Sequence, residues 1–197
     1  MASPYSAAAP STSTRRRYPI GVELASNSRA HARVWAPKRR TVAFVRDPNH
    51  SSVATELDSE GNGYFSGTVS AAPAGTLYRF RLDGEQDVPD PASRFQPDGP
   101  HGPSQIVDAS SYVWRDREWR GASIAGQVLY ELHIGTFTVE GTYRAAAECL
   151  DALRDVGVTV IEMMPVAEFP GRFGWGYDGV DLFAPTHLYV REMQVEP

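Results

Sequence analysis

Glu168, Asp178 and Asp181 share one short stretch of this chain with Phe169, Phe173, Trp175 and Tyr177. Aromatic faces set among carboxylates suit a sugar. A pyranose offers an apolar C–H face for stacking and a rim of hydroxyls for hydrogen bonding. Cleaving a glycosidic bond asks for more, because two carboxyl groups must be held rigidly on opposite sides of the ring. The three carboxylates here belong to a single loop, so no catalytic residue is assigned. Phe169, Phe173, Trp175 and Tyr177 beside these carboxylates make the loop a surface able to hold a sugar, with rings packed into the core and carboxylates bracing their own loop as the alternatives.

The stretch runs from Val158 to Tyr189, VTVIEMMPVAEFPGRFGWGYDGVDLFAPTHLY. It opens as an apolar run, read as a strand buried on both faces, and passes through Pro165 and Pro170 into the aromatic loop. Upstream, VLYELHI (Val128 to Ile134) reads as another buried strand, interrupted by Glu131 and His133. After Thr142, a suitable N-cap, Tyr143, Ala146, Ala147, Leu150 and Leu153 recur at helical spacing, and Gly157 stands where a helix would end. Strand, helix, short turn and strand make a βαβ unit with a parallel sheet. Glu131 and Glu162 then read as a structural carboxylate pair and His133 as a satisfied core histidine.

From Tyr18 to about Val113 the pattern is different. Residues 30–35, 41–46, 64–69 and 76–82 read as short strands, with turns at Gly61, Asn62 and Gly63 and at Asp83 and Gly84. Their spacing of roughly ten residues predicts an antiparallel β-sandwich of the immunoglobulin-like, early-set type. Bracing a neighbour is the first reading of this unit and glucan binding the second, because Trp35, in a strand before Pro37, is read as core. Residues 87–108, rich in proline and glycine, form an ordered connector in which Asp87 and Asp90 cap turns. His101 has no second histidine at ligand spacing, so no metal and no cofactor are indicated.

The chain has 197 residues, 42% hydrophobic and 22% charged, with a net charge of -5. That material builds a sizeable core and argues against a nucleic-acid surface. No apolar run of about 20 residues is available to cross a membrane. Cys149 is the lone cysteine, so a cytoplasmic location is expected. Residues 1–17, poor in large apolar groups, are expected to be a disordered tail. Arg15, Arg16 and Arg17 lack the apolar region that an export signal would need after them. Nothing specifies an oligomeric state.

The segments PDPASRFQPDGPHGPSQIVD, VLYELHIGTFTVEGTY and VIEMMPVAEFPGRFGWGYDGVDLFAPTHLY resemble the malto-oligosyltrehalose trehalohydrolases of the α-amylase superfamily. The last two are also similar, in part, to glycogen branching enzymes and isoamylases. The resemblance covers Tyr18 to Tyr189. It implies a β-sandwich (18–120) followed by the first βαβ portion of a truncated (β/α)8 barrel (121–197). It further implies hydrolysis of the α-1,4 bond that releases trehalose from maltooligosyl-trehalose, an α-glucan substrate, in trehalose biosynthesis. In that family Tyr177 corresponds to the tyrosine stacked under the sugar at the cleavage subsite; Trp175 is expected to line the same cleft or to pack beneath the loop, and Asp178 and Asp181 match the family's loop pattern, as loop-bracing groups first and sugar contacts second. The family's nucleophile lies in a later G-F-R-x-D motif, which is not present here, so this chain is expected to be inactive alone. Where family members continue through Tyr-Gly-x-Pro, this chain reads Tyr189, Val190 and REMQVEP; a fragment or a frameshifted continuation is expected. A glucan-binding module, or part of a branching enzyme or isoamylase, is the alternative.

Overall fold

The computed structural model describes residues 16–46 and 53–190. Its first nine strands are β1 (Gly21–Ser26), β2 (Arg29–Trp35), β3 (Val42–Arg46), β4 (Val53–Glu56), β5 (Asp58–Gly61), β6 (Tyr64–Ser70), β7 (Leu77–Leu82), β8 (Gln86–Val88) and β9 (Ser104–Gln105). They pair antiparallel into two sheets, β1-β2-β6-β5 and β4-β3-β7-β8, with β9 added along β7. Alternation sets the faces. In β2, Ala30, Ala32 and Val34 point inward while Arg33 and Trp35 point out. One core joins the two sheets, drawing Val34, Phe65 and Val69 from the first and Val42, Phe44, Tyr78 and Phe80 from the second. Phe44 and Tyr78 stack with centroids 5.0 Å apart, and Phe80 meets both rings edge-on. Withdrawing each such ring from water contributes about 1.5–3 kcal/mol.

The proline-rich connector is tied into this unit. Buried Asp90 accepts from the Tyr78 hydroxyl at 2.7 Å and from the Ala92 N–H at 2.8 Å, and its own N–H donates to Ser104 Oγ. Asp87 forms a two-point pair with Arg81, its cross-strand partner. So Asp90 caps a turn, as its residue type indicates, whereas Asp87 neutralises an arginine. Residues 1–15 of the expected tail lie outside the described residues. At its end Arg16 is fixed, donating to the carbonyls of Tyr18, His31 and Gly21 and pairing with Glu23. Trp35 is corrected from core to surface: it is 55% exposed, because its position in the β2 alternation is the outward one.

The remainder comprises β10 (Leu129–Leu132), α1 (Ile134–Phe137), α2 (Tyr143–Glu148), α3 (Leu150–Asp155), β11 (Val160–Met163), β12 (Ala167–Glu168), β13 (Asp181–Pro185) and α4 (His187–Val190). Strands β10 and β11 are parallel, with Leu129 beside Val160 and Leu132 beside Met163. The helical stretch between them starts on Thr142, whose side chain accepts from the Ala145 N–H. It ends at Gly157, where φ is +100°: Gly157 N–H donates to Arg154 O and Val158 N–H to Leu153 O, closing the last turn.

Four expectations about this region need correction. The two apolar runs are not buried on both faces, since Leu129, Tyr130, Glu162 and Met163 are exposed. Among the described residues their sheet has two strands, and no residue of α3 is buried against it. The helix is broken at Cys149, and it buries Ala145 and Ala146 while Ala147 and Leu150 face water. The run from Val128 to Ile134 is shorter as a strand, because Ile134 already opens a helical turn. Glu131 and Glu162 are register neighbours, both exposed, and so place like charges side by side on an open sheet.

The two parts touch through the connector. The Arg94 guanidinium lies 4.2 Å from the Tyr18 ring centroid and 5.1 Å from that of Phe183 in β13. The departure from the resembled pattern begins at Val190, the last residue of α4; residues 191–197 after it lie outside the described residues.

Candidate sugar-binding site

A cleft of about 680 Å³ opens at the C-terminal ends of the parallel pair. His133, Thr136 and Glu140, following β10, line one side; Arg172, Phe173 and Trp175, in the loop between β12 and β13, line the other. Tyr189 of α4 also lines it. The arrangement follows from parallel pairing, which sends the chain out of both strands at the same end.

His133 couples these pieces. Its Nε2 lies 2.8 Å from the Gly174 carbonyl and 3.3 Å from the Tyr189 hydroxyl, and its Nδ1 lies 3.3 Å from the Thr136 hydroxyl. A ring protonated at Nε2 donates to Gly174 and leaves Nδ1 to accept from Thr136. The reading of His133 as a satisfied histidine therefore holds, but on the cleft wall. Gly135 lets Tyr189 come close: a Cβ there would sit 2.8 Å from the tyrosine ring.

Glu168 anchors the loop. It is fully buried, and its Oε1 accepts from the Phe169 N–H and the Thr186 hydroxyl while Oε2 accepts from the His187 N–H at 2.8 Å. The His187 Nδ1 lies 2.9 Å from the same oxygen. One carboxylate thus ties the start of the loop to the segment leaving β13, with further closure from Val180 N–H to Glu168 O and Thr186 N–H to Val166 O. Phe169 packs beneath, 2% exposed, in a second core with Leu132, Ile134, Ala146 and Tyr189. Asp181, the β13 register partner of Glu168, is buried with Oδ2 unpartnered among the described residues. Burial, reinforced by the Glu168 charge, raises its pKa.

The aromatic and acidic residues of this stretch therefore divide. Glu168, Phe169 and Asp181 are buried and build the loop rather than the sugar surface. Phe173, Trp175 and Tyr177 are 87%, 77% and 70% exposed, and Asp178 is exposed beside them. Of the expected contacts only Trp175 lines the cleft; Tyr177 and Asp178 follow it in the same loop without lining the cleft. Arg172 and Glu140 are on the walls although sequence reasoning passed over both. Neither has a spacing signal, since each reaches the cleft only through loop closure. Among the described residues no group of three or more His, Cys, Asp or Glu side chains is placed to hold a metal ion. Nor, among them, is any helix long and apolar enough to cross a membrane.

No protein-family model matches the chain. The malto-oligosyltrehalose trehalohydrolase of Deinococcus radiodurans is 47% identical over 159 residues, 81% of this chain but 26% of that protein. A 1,4-alpha-glucan branching enzyme of Albidiferax ferrireducens is 31% identical over 189 residues, covering 86% of this chain and 30% of that one. Among solved structures, a Salmonella typhimurium protein described as an alpha amylase superposes with a TM-score of 0.80 at 43% identity, over 87% of this chain and 29% of that one. Over about four-fifths of its length the chain is similar to malto-oligosyltrehalose trehalohydrolases, and it spans about a quarter of the length of the curated relatives it matches.

Proposed function

We propose that this chain is the part of a trehalohydrolase that holds one wall of its sugar cleft, acting on maltooligosyl-trehalose in the cytoplasm. The carrying observation is the 47% identity to a named trehalohydrolase, together with a cleft at the C-terminal ends of parallel strands. In this reading the two-sheet unit is an immunoglobulin-like sandwich spanning 18–120. The β10–β11 unit begins a (β/α)8 barrel, whose active sites lie at that end. Trp175 and Tyr177 present faces for sugar stacking, and Asp178 accepts from sugar hydroxyls.

The reaction of the complete enzyme is hydrolysis of the α-1,4 bond next to the terminal trehalose unit. Retention needs a carboxylate nucleophile and a carboxylic acid about 5 Å apart across the bond. Glu168 is consumed by four hydrogen-bonding partners and Asp181 is buried, so neither is free to attack a sugar. The 197-residue chain is therefore inactive by itself. Incubating it with maltooligosyl-trehalose and with starch should release neither trehalose nor reducing ends. Turnover that disappears in Tyr177→Ala would overturn this assignment. The branching-enzyme match favours one other reading, an α-1,6-forming relative, for which the complete protein would make branch points and no trehalose.

A further inference from the structure

Residues 170–179 carry the exposed rings of the loop, yet little holds them. Among the described residues they make one hydrogen bond, between the Gly174 carbonyl and His133 Nε2 at 2.8 Å. Strand pairing resumes only beyond them, where Val180 N–H donates to Glu168 O. In Phe173 to Tyr177, FGWGY, glycines alternate with aromatics. The glycines face inward: a Cβ on Gly174 would sit 2.8 Å from the Phe169 ring, and one on Gly176, where φ is +88°, would run into the Pro165 carbonyl. With Gly174 and Gly176 pressed against that floor, Phe173, Trp175 and Tyr177 are left in water.

His133 is well braced for holding that carbonyl. Its neighbours Leu132 and Ile134 are both buried in the second core. Its ring meets Tyr189 edge-on at 5.9 Å between centroids, and Tyr189 meets Tyr143 of α2 in the same way at 6.1 Å. The Gly174 carbonyl can only accept, so the short contact puts the imidazole proton on Nε2, and the Thr136 hydroxyl, 3.3 Å from Nδ1, donates to the other nitrogen. A segment with one polar tie has no second bond to retain its shape when that tie is lost. We propose that His133 is the positioning residue of the aromatic loop: through Gly174 it sets Phe173, Trp175 and Tyr177 in one outward arrangement before any ligand arrives. Rings ordered in the free protein bind more tightly, because their ordering entropy is not lost on association. That the ligand is an α-glucan rests on the function proposed above; the anchoring does not.

Amide relaxation measured by NMR on the 197-residue chain tests this assignment. In the wild type the Gly174 and Gly176 amides should be as ordered as those of β7, and the His133 imidazole nitrogens should show the proton on Nε2. His133→Phe keeps a ring against Tyr189 but has no donor. It should loosen residues 170–179 while leaving the β10 and β11 amides unchanged, and should weaken maltoheptaose binding about tenfold, the worth of one hydrogen bond. His133→Gln, whose side-chain N–H can reach the same carbonyl, should restore both. A loop that stays ordered in His133→Phe, or one that His133→Gln leaves as loose as His133→Phe does, overturns the assignment. So does a wild-type imidazole protonated on Nδ1 alone, without reliance on any variant. A wild-type chain that binds no maltoheptaose, with a loop that still loosens in His133→Phe and tightens in His133→Gln, overturns the sugar reading and supports the anchor.

Discussion

Replacing Asp90 by asparagine should stabilise this chain at neutral pH, although Asp90 makes three hydrogen bonds. Its carboxyl is wholly buried, and burial is the largest influence on its pKa, which rises from 3.8 to about 6 against the opposing bonds from Tyr78 and Ala92. Asp181 adds a like charge in the same direction. A raised pKa means that the folded state holds its proton more tightly than the unfolded chain does. Protonated Asp90 therefore supports the fold fully below about 3.8, and this support fades as pH rises through about 6. A shift of about two units at about 1.4 kcal/mol each gives a cost of up to about 3 kcal/mol at pH 7. Asparagine carries no charge and keeps one carbonyl oxygen for the Ala92 N–H, while its amide NH2 takes the place of the oxygen facing Tyr78, whose hydroxyl can turn to accept from it. Urea unfolding of wild type and Asp90→Asn, followed by circular dichroism from pH 4 to pH 8, isolates this group from the other titrating side chains. The two proteins should match near pH 4, and the variant should lead by about 1–3 kcal/mol at pH 7. A constant difference across the range, or a variant less stable at pH 7 than at pH 4 relative to wild type, would refute the reasoning.

The remaining predictions concern the loop and the open sheet. Glu168→Ala leaves the Phe169 and His187 N–H groups and the Thr186 hydroxyl without their buried acceptor, so a loss of about 3–5 kcal/mol is expected in urea unfolding, with Glu168→Gln milder. Loss of less than about 1 kcal/mol in the alanine variant would show that the loop closes without its anchor. Limited trypsin digestion should cut first in residues 108–127, where Arg115, Arg117 and Arg120 are exposed outside any helix or strand, and then degrade the β10–β11 part while a core near 18–120 persists. Uniform protection through Tyr189 would contradict this, because a two-stranded parallel sheet with exposed Leu129, Tyr130 and Met163 lacks the burial that resists unfolding.

Local patterns carried much of this structure. The alternation in residues 30–35 and 77–82, the φ-positive turn at Asp83 and Gly84, the Thr142 cap and the Gly157 stop are all properties of neighbouring residues, so a sequence displays them directly. Burial is not local. Val160 to Met163 are apolar enough for a doubly covered strand, but covering them takes elements that this sheet does not have. Trp35 shows the same limit from the other side, since an aromatic in a strand looks internal until the register assigns its face. In the loop, residue type alone could not separate Glu168 from Asp178. One is buried under Thr186 and His187 by hairpin closure and the other is left in water, and that division depends on Phe169 turning inward.

The most direct test of the functional assignment is a chimera in which residues 18–189 of this chain replace the matching segment of a complete trehalohydrolase, assayed for trehalose release from maltooligosyl-trehalose. The chimera should release trehalose, and Tyr177→Ala within it should cut kcat/KM at least tenfold without lowering Tm. A folded chimera that releases no trehalose, or one indifferent to Tyr177→Ala, would contradict the assignment of this loop as the sugar-contacting wall.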